Sequence, residues 1–338
     1  MKITRPRRCD IVLLVDEETG DTPRGGSFRL EARCVEAFVL ASLRRQELSV
    51  EVVPFDPAVA PTMARLRALK PRLVFNLTEW VDGDRTQDAA IAGLLDMMAL
   101  PYTGSGPDGL RLARDKALSK VIVSGLGIAV PRHFMLTRGS RARNPGVPYP
   151  LIVKPQLDDG SVGITLKSLV RNEPELKAQV RRMRALNDAP LMCEEFIAGR
   201  DLFVGTIGNE PRVLPAIELV IGRQAPSMPR FVTYRAKHDD RYRARWKVGC
   251  RVPRLARDVV AAINAASRGI FHALKLRDYA RIDYRLAPDG TLYFLEANPN
   301  PDLWPHSFGR DRCFAGISYD ALIGKILAAA RQRRRMRS

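Results

Sequence analysis

Between Tyr279 and Leu303 the chain reads YARIDYRLAPDGTLYFLEANPNPDL, and its acids, arginines and amides fall where one hairpin would gather them. Asp289-Gly290 separates two runs of β-forming residues, and an Asp-Gly pair in that setting is a strong signal for a two-residue loop. With Asp289 and Gly290 as the loop, Asp283 faces Glu296 and Arg281 faces Asn298. Opposed carboxylates repel by an amount similar to the roughly 0.2–1 kcal/mol that a favourable cross-strand pair contributes. A hard divalent cation removes the conflict. Mg²⁺ takes oxygen ligands, typically one or two carboxylates with substrate phosphates, so Asp283, Glu296 and the Asn298 amide oxygen are candidate metal ligands. A solvated polar hairpin face is the alternative reading of this segment taken alone.

Lys154 ends an apolar run, and Asp158-Asp159-Gly160-Ser161-Val162-Gly163 follows it. Gly160 and Gly163 around Ser161 let backbone N–H groups converge on an anion, while the lysine adds compensating charge; an ordinary glycine turn between two strands has the same composition. The pattern G-x-x-x-x-G-K-[ST] is absent, which excludes the usual NTPase phosphate loop. Gly104, Gly106 and Gly109 match the dinucleotide fingerprint G-x-G-x-x-G and lead into a helix. The acid expected about 20 residues further on is missing, and NAD binding is excluded on that ground.

These segments together resemble the ATP-grasp superfamily and, within it, the D-alanine–D-alanine ligase branch. The hairpin is similar to that family's Arg-x-Asp and Glu-x-Asn strands, IVKPQLDDGSVGI to its phosphate lid, and PYTGSGPDGLRLARDKALSK to its PYTGSG segment with the following Asp-Lys and second lysine. The resemblance implies two Mg²⁺ ions, with Mn²⁺ as a substitute, held by Asp283, Glu296 and Asn298. It implies ATP held by Lys116, Lys154, Gly160, Ser161 and Gly163, with Lys120 a helix-surface neighbour. MCEEFIAGRDL resembles the adenine hinge: Glu194, Glu195, Phe196 and Ile197 would meet the purine edge, and Asp201 the ribose hydroxyls. Glu195 stands where a lysine is common. Tyr234 to His238 resembles a mobile loop in which Lys237 reaches the γ-phosphate and His238 replaces a tyrosine that closes the site. Asp302 replaces a glycine near the oxyanion, and Ser307 falls at the serine that binds the product carboxylate. Arg281, Lys237 and Ser161 are the implied catalytic residues, and His238, Arg281, Asp302 and Ser307 the substrate residues. The implied reaction is ATP-dependent joining of a small-molecule carboxylate to an amine through an acyl-phosphate; an authentic D-alanine–D-alanine ligase and a non-catalytic nucleotide- or nucleic-acid-binding protein are the alternatives.

The elements that must position these residues follow an α/β order. CDIVLLV from Cys9, Val50 to Phe55 and Leu73 to Leu77 read as buried strands, and Phe28 to Leu43 has helical spacing, which predicts a parallel α/β layer over about the first 105 residues. A helix over Leu110 to Ser124, strands at Leu151 to Lys154 and Ile164 to Leu169, a helix from Glu173 to Leu186, a strand-rich stretch, a helix from Ala256 to Leu274 and a closing helix from Tyr319 to Arg331 come next. The expected division is an N-terminal α/β subdomain over 1–107, two α+β subdomains over 108–190 and 191–330 that clasp ATP, and a disordered basic tail over 331–338.

At 338 residues, with 46% hydrophobic and 27% charged residues, the chain has the composition of a globular protein with a large core. The five cysteines are scattered without a C-x-x-C pair, which argues against a disulfide framework or structural zinc. No apolar run is long enough to span a membrane and no secretory leader is evident, so a cytoplasmic location is expected. The net charge of +18 is partly terminal: nine basic residues crowd the first eight and last eight positions. With no nucleic-acid-binding motif beside it, that charge suits an enzyme holding polyphosphate and carboxylate better than a specific nucleic-acid partner. The resemblance leaves room for a homodimer.

Overall fold

The computed structural model describes residues 9–22, 28–157, 164–186, 189–222, 235, 239–304, 314 and 316–335. The N-terminal layer is a parallel sheet with Ile11–Asp16 in the middle, flanked by Val50–Phe55 and Leu73–Asn76. Every residue of the central strand is buried, as expected of a parallel strand covered on both faces. Helices Val35–Arg45 and Tyr319–Arg335 pack together on one side. Phe75, Leu43, Tyr279 and Leu327 belong to a single apolar cluster, so the last helix closes the core of the first layer.

The helical spacing from Phe28 overstates that helix. Arg29–Leu30 pairs instead with Gly20–Asp21, and the helix begins at Val35 with Cys34 as its N-cap, the thiol accepting from Ala37 N at 3.4 Å. Likewise Leu110 to Ser124 is not one helix. Pro107–Arg114 and Lys116–Ser124 are separated at Asp115, whose carboxylate accepts from Ala117 N and Leu118 N and so starts the second helix afresh.

The central sheet is antiparallel, ordered His133–Leu136, Leu191–Glu195, Leu151–Pro155, Leu169–Val170, with helix Glu173–Leu186 against it. Its second strand lies beyond residue 190, so this sheet crosses the boundary expected there. The C-terminal sheet runs Val248–Arg251, Ile217–Ile221, Arg200–Ile207, Tyr279–Leu286, Leu292–Pro299, with Arg212–Val213 beside Arg200–Ile207. Helix Arg257–Ala273 supplies Ile263, Ile270 and Phe271 to the cluster beneath it.

Gly104, Gly106 and Gly109 explain the dinucleotide-like fingerprint without a ligand. A Cβ on Gly104 would collide with the Asn300 amide, one on Gly106 with the Arg277 guanidinium, and one on Gly109 with the Lys275 carbonyl. Gly104 also has φ +90°, the left-handed region that favours glycine. These are contacts between the first layer and the C-terminal sheet. Asp278 completes the joint: it accepts from Gly104 N at 2.8 Å, Asn209 Nδ2 at 3.1 Å, and Arg333 Nε and Nη2 at 2.9 and 2.8 Å. The closing helix runs to Arg335, through residues expected in a disordered tail, and Arg333 is anchored in the joint.

Candidate active site

Strand Tyr279–Leu286 pairs with Leu292–Pro299 so that Asp283 faces Glu296 and Arg281 faces Asn298, the expected partners. The route to that register differs from the expectation. Gly290 N donates to Ala287 O and Ala287 N to Thr291 O, so the loop is Pro288-Asp289-Gly290, three residues long. Near the loop Tyr284 therefore faces Phe294, one residue out of the expected register. A bulge at Leu295 restores it before Glu296. The extra loop residue and the bulge offset each other.

The bulge carries a further consequence. Lys120 Nζ donates to Leu295 O at 2.5 Å and lies 3.5 Å from Phe294 O, with the ammonium 5.5 Å from the Phe294 ring centroid. Lys120 was expected on the helix surface and is instead 0% exposed. Its helix buries Lys116, Ser119, Lys120 and Val123, an i, i+3, i+4, i+7 stripe; the position one turn after Lys116 on the same face was the signal that could have found it.

Lys120 Nζ also lies 3.3 Å from Glu194 Oε2, and Lys154 Nζ lies 2.5 Å from Glu194 Oε1. Burial, together with the nearby Lys154, lowers Lys120 to about 8 despite the Glu194 carboxylate. Burial by itself would raise Glu194, yet the two ammoniums outweigh it and hold the carboxyl below its ordinary value. The Glu194 side chain thus serves the lysines. Its strand neighbours are tied by main chain, Glu195 N donating to Arg132 O at 2.8 Å and Phe196 N to Pro150 O at 2.9 Å. Lys116 is buried as well, with Nζ 3.4 Å from Gln156 O.

A cleft between the central and C-terminal sheets brings Lys154, Glu194, Glu195, Phe196, Ile197 and Asp201 together with Asp283 and Glu296. Asp201 is not simply presented to that cleft: it pairs across strands with Arg285, Nη1 to Oδ1 at 2.6 Å. Arg285 Nε donates to Ile197 O at 2.8 Å, and its guanidinium carbon lies 5.2 Å from the Phe196 ring centroid. Arg285 was missed, although strand alternation puts it on the face of Arg281 and Asp283.

Arg281 grips Asp283 with both arms of its guanidinium, Nε to Oδ1 at 2.6 Å and Nη2 to Oδ2 at 3.0 Å. Two N–H bonds leave carboxylate lone pairs over for a cation. The Asn298 amide nitrogen is buried with no hydrogen-bond partner among the described residues. That nitrogen is a donor and no ligand for a cation; the facing carboxylates, with the Asn298 amide oxygen beside them, are what suit a hard, oxygen-binding ion, and the residues present fit Mg²⁺. Among the described residues no three His, Cys, Asp or Glu side chains cluster as a metal site, so the amide is needed to complete the donor set.

On the other side of Arg281 and Asn298 opens a cavity of about 570 Å³ that reaches the first layer. Its lining includes six carboxylates, Asp16, Glu18, Glu36, Glu79, Asp88 and Asp302, against the arginines Arg85, Arg114 and Arg281. Glu79 pairs with Arg85 at 2.5 Å, and Asp88 with Arg114. Asp16 accepts from Glu79 N and Trp80 N, and burial raises its carboxyl to about 7. Asp302 is exposed and accepts from Trp304 N at 2.8 Å. Of the expected site residues, Gly160, Ser161, Gly163, Lys237, His238 and Ser307 lie outside the described residues.

A parallel layer followed by two sheets that face each other across a cleft is the ATP-grasp architecture. The solved structure of D-alanine–D-alanine ligase from Bacillus anthracis complexed with ATP has the same fold, with a TM-score of 0.71 at 20% identity over 98% of this chain and 100% of that one. The family model for the D-ala D-ala ligase C-terminus matches residues 122–328. D-alanine–D-alanine ligases of Desulforudis audaxviator and Rhodospirillum rubrum are 30% and 32% identical, over 84% and 86% of this chain and 89% of each relative. An uncharacterised protein, y4sG, of Sinorhizobium fredii is 33% identical over 77% of this chain and 75% of that protein. The chain belongs to the D-alanine–D-alanine ligase family. It is an ATP-dependent ligase of that type, forming carbon–nitrogen bonds, in a family that uses ATP and Mg²⁺. No helix among the described residues is long and apolar enough to cross a membrane.

Proposed function

We propose that the enzyme activates a small carboxylate as an acyl-phosphate and joins it to an amine that carries extra positive charge. The observation that carries this reading is the facing of Asp283 and Glu296 on the hairpin, across a cleft from the buried cluster of Lys154, Glu194 and Lys120. In it, Lys116, Lys154, Lys237 and the loop of Gly160, Ser161 and Gly163 neutralise the moving phosphoryl group, with positioning and electrostatics supplying most of the rate. Asp283, Glu296 and Asn298 hold Mg²⁺, two ions in our reading with Mn²⁺ as a substitute; the metal adds charge neutralisation at the phosphates. Glu194 to Ile197 offer the hinge main chain to the purine, and Asp201, steadied by Arg285, takes the ribose hydroxyls. Arg281 stabilises the oxyanion formed when the amine attacks, and no protein nucleophile is needed. His238, Asp302 and Ser307 shape the amine and product side. The same reading assigns residues 1–107, 108–190 and 191–330 to three subdomains, with the central one extended to Glu195 because that strand belongs to its sheet. It also gives the enzyme a cytoplasmic location and small-molecule partners in place of nucleic acid.

The acidic lining of the second cavity supports the cationic acceptor: each arginine there has a carboxylate partner, while Asp16 accepts only main-chain hydrogen bonds among the described residues. A second reading, an authentic D-alanine–D-alanine ligase, is favoured by the names of the relatives. ADP release from Mg-ATP, measured over a panel of amino acids, diamines and D-alanine, decides between them. ADP formed only when a cationic amine accompanies a carboxylate is the expected result. D-Alanyl-D-alanine from D-alanine alone, at a kcat of about 1 s⁻¹ or more, would establish the second reading. ADP from no pair would defeat both.

A further inference from the structure

Lys120 is a fully buried cation that no substrate can touch, and its cost must be offset by something the site needs. Glu194 is shared. Lys154 approaches one of its oxygens at 2.5 Å and Lys120 the other at 3.3 Å, so a single carboxylate contacts two ammoniums and these three side chains carry a net positive charge, which Glu296 on the hairpin offsets only from further off. The two lysines are not equivalent. Lys120 has protein acceptors on every side that the structure describes, the Leu295 and Phe294 carbonyls and the Phe294 ring as well as Glu194. Lys154 lines the cleft between the sheets, so the excess charge is open to an anion only there. Without Lys120, Lys154 and Glu194 would form a neutral pair, and the ammonium would be spent on its own neighbour.

We propose that Lys120 is a positioning residue which, by sharing Glu194, keeps the charge of Lys154 available to the nucleotide phosphates. The inference rests on reading this cleft as the nucleotide site. It makes Glu194 an adjustable counter-ion, and it gives the burial of Lys120, one turn after Lys116, a purpose: it sets the charge of the lysine opposite.

The test is the Kd of the full-length protein for Mg-ATP, measured by calorimetry with no acceptor present. Lys120→Met weakens binding by about tenfold or more, as expected when one ammonium at close range to phosphate is cancelled in a partly desolvated site. Lys120→Met/Glu194→Gln removes the spare cation and the carboxylate together; Lys154 is freed, and the Kd returns to within about threefold of wild type. A purely structural role for Lys120, pinning the bulge through Leu295 O, predicts no such rescue, because that contact stays lost in the double variant. A double variant more than about threefold weaker than wild type overturns the proposal, as does a Lys120→Met protein that binds like wild type. If Lys120→Met does not fold, the double variant is compared with wild type directly, and a Kd more than about threefold weaker again overturns the proposal. Failure of the underlying reading looks different: wild type would not bind Mg-ATP, or Lys154→Ala would bind it as tightly as wild type.

Discussion

Asp278→Asn tests whether the first layer and the C-terminal sheet are joined as the structure has them. Asp278 is 0% exposed, and each carboxylate oxygen accepts two N–H groups: Oδ1 from Asn209 and Arg333 Nε, Oδ2 from Gly104 and Arg333 Nη2. An asparagine amide has one acceptor and one donor. Whichever way it turns, two N–H groups that met an oxygen now meet an N–H. Backbone strain does not enter, since Asp278 has φ +61° and asparagine tolerates that region. An orphaned buried donor costs about 1–3 kcal/mol, and removing one partner of a buried ion pair about 3–5 kcal/mol. These overlap, and Arg333 is 18% exposed, so a loss of about 3–4 kcal/mol is expected. Urea unfolding reads it as a lowered midpoint at unchanged slope. Arg333→Met in the same background relieves the guanidinium and regains about 1–2 kcal/mol. A loss below about 1 kcal/mol, or no regain in the double variant, would refute the joint. Catalysis should fall with stability, because the strand bearing Arg281 and Asp283 starts at the next residue.

Glu296→Gln and Asp283→Asn remove charge but little volume, and each should cut Mg²⁺-dependent turnover by about a hundredfold or more; the unfolding midpoint should change little for Glu296→Gln and fall for Asp283→Asn, which takes the buried partner from Arg281, and near-normal rates in both would end the metal assignment. Lys154→Ala should raise KM for ATP and lower kcat together, and an unchanged kcat/KM for ATP would place Lys154 outside the site. For Asp16 the folded-state carboxyl near 7 lies above its ordinary 3.8, so the native state holds the proton longer than the unfolded chain. That group's contribution to stability is then greatest below about pH 4 and is lost as pH rises to about 7, by up to roughly 4 kcal/mol. Asp16→Asn should flatten the decline in melting temperature between pH 5 and 8; a variant with the wild-type slope would clear Asp16 of that role.

Most of the site was legible because its chemistry follows simple periodicities. Alternation along two strands set Asp283 against Glu296, and an apolar run ending in lysine marked Lys154. What was not legible is what depends on packing between elements. The hairpin partners came out as expected only because the extra loop residue at Pro288 and the bulge at Leu295 cancel, and nothing local to Leu295 announces a bulge. Lys120 was misplaced because a lysine on a short helix is assigned to solvent by default, whereas its burial is enforced by Glu194 and the bulge carbonyl, residues some 75 and 175 positions away. The glycines at 104, 106 and 109 were read as a nucleotide fingerprint that failed; their real cause, the close approach of Asn300, Arg277 and Lys275, lies in the distant half of the chain.

Charge placement ties the two cavities to different partners. A chain of net +18 attracts polyphosphate from every side, so long-range steering alone does not select where ATP settles. Selection must be local. In the cleft between the sheets Lys154 and Lys120 share Glu194 on one wall, while Asp283 and Glu296 face each other on the other, so a phosphate is held there together with a divalent cation. Among the described residues, the cavity beyond Arg281 has twice as many carboxylates as arginines, on a protein with far more basic than acidic residues. In the proposed reading a metal-bound polyphosphate takes the first and a cation the second. Arg281, which lines the second cavity and grips Asp283 of the first, stands at their junction. An acyl-phosphate formed on one side and attacked by an amine from the other would meet there. In the proposed reading the acceptor's own charge is positive there, and a second free carboxylate is the feature most strongly disfavoured in a substrate.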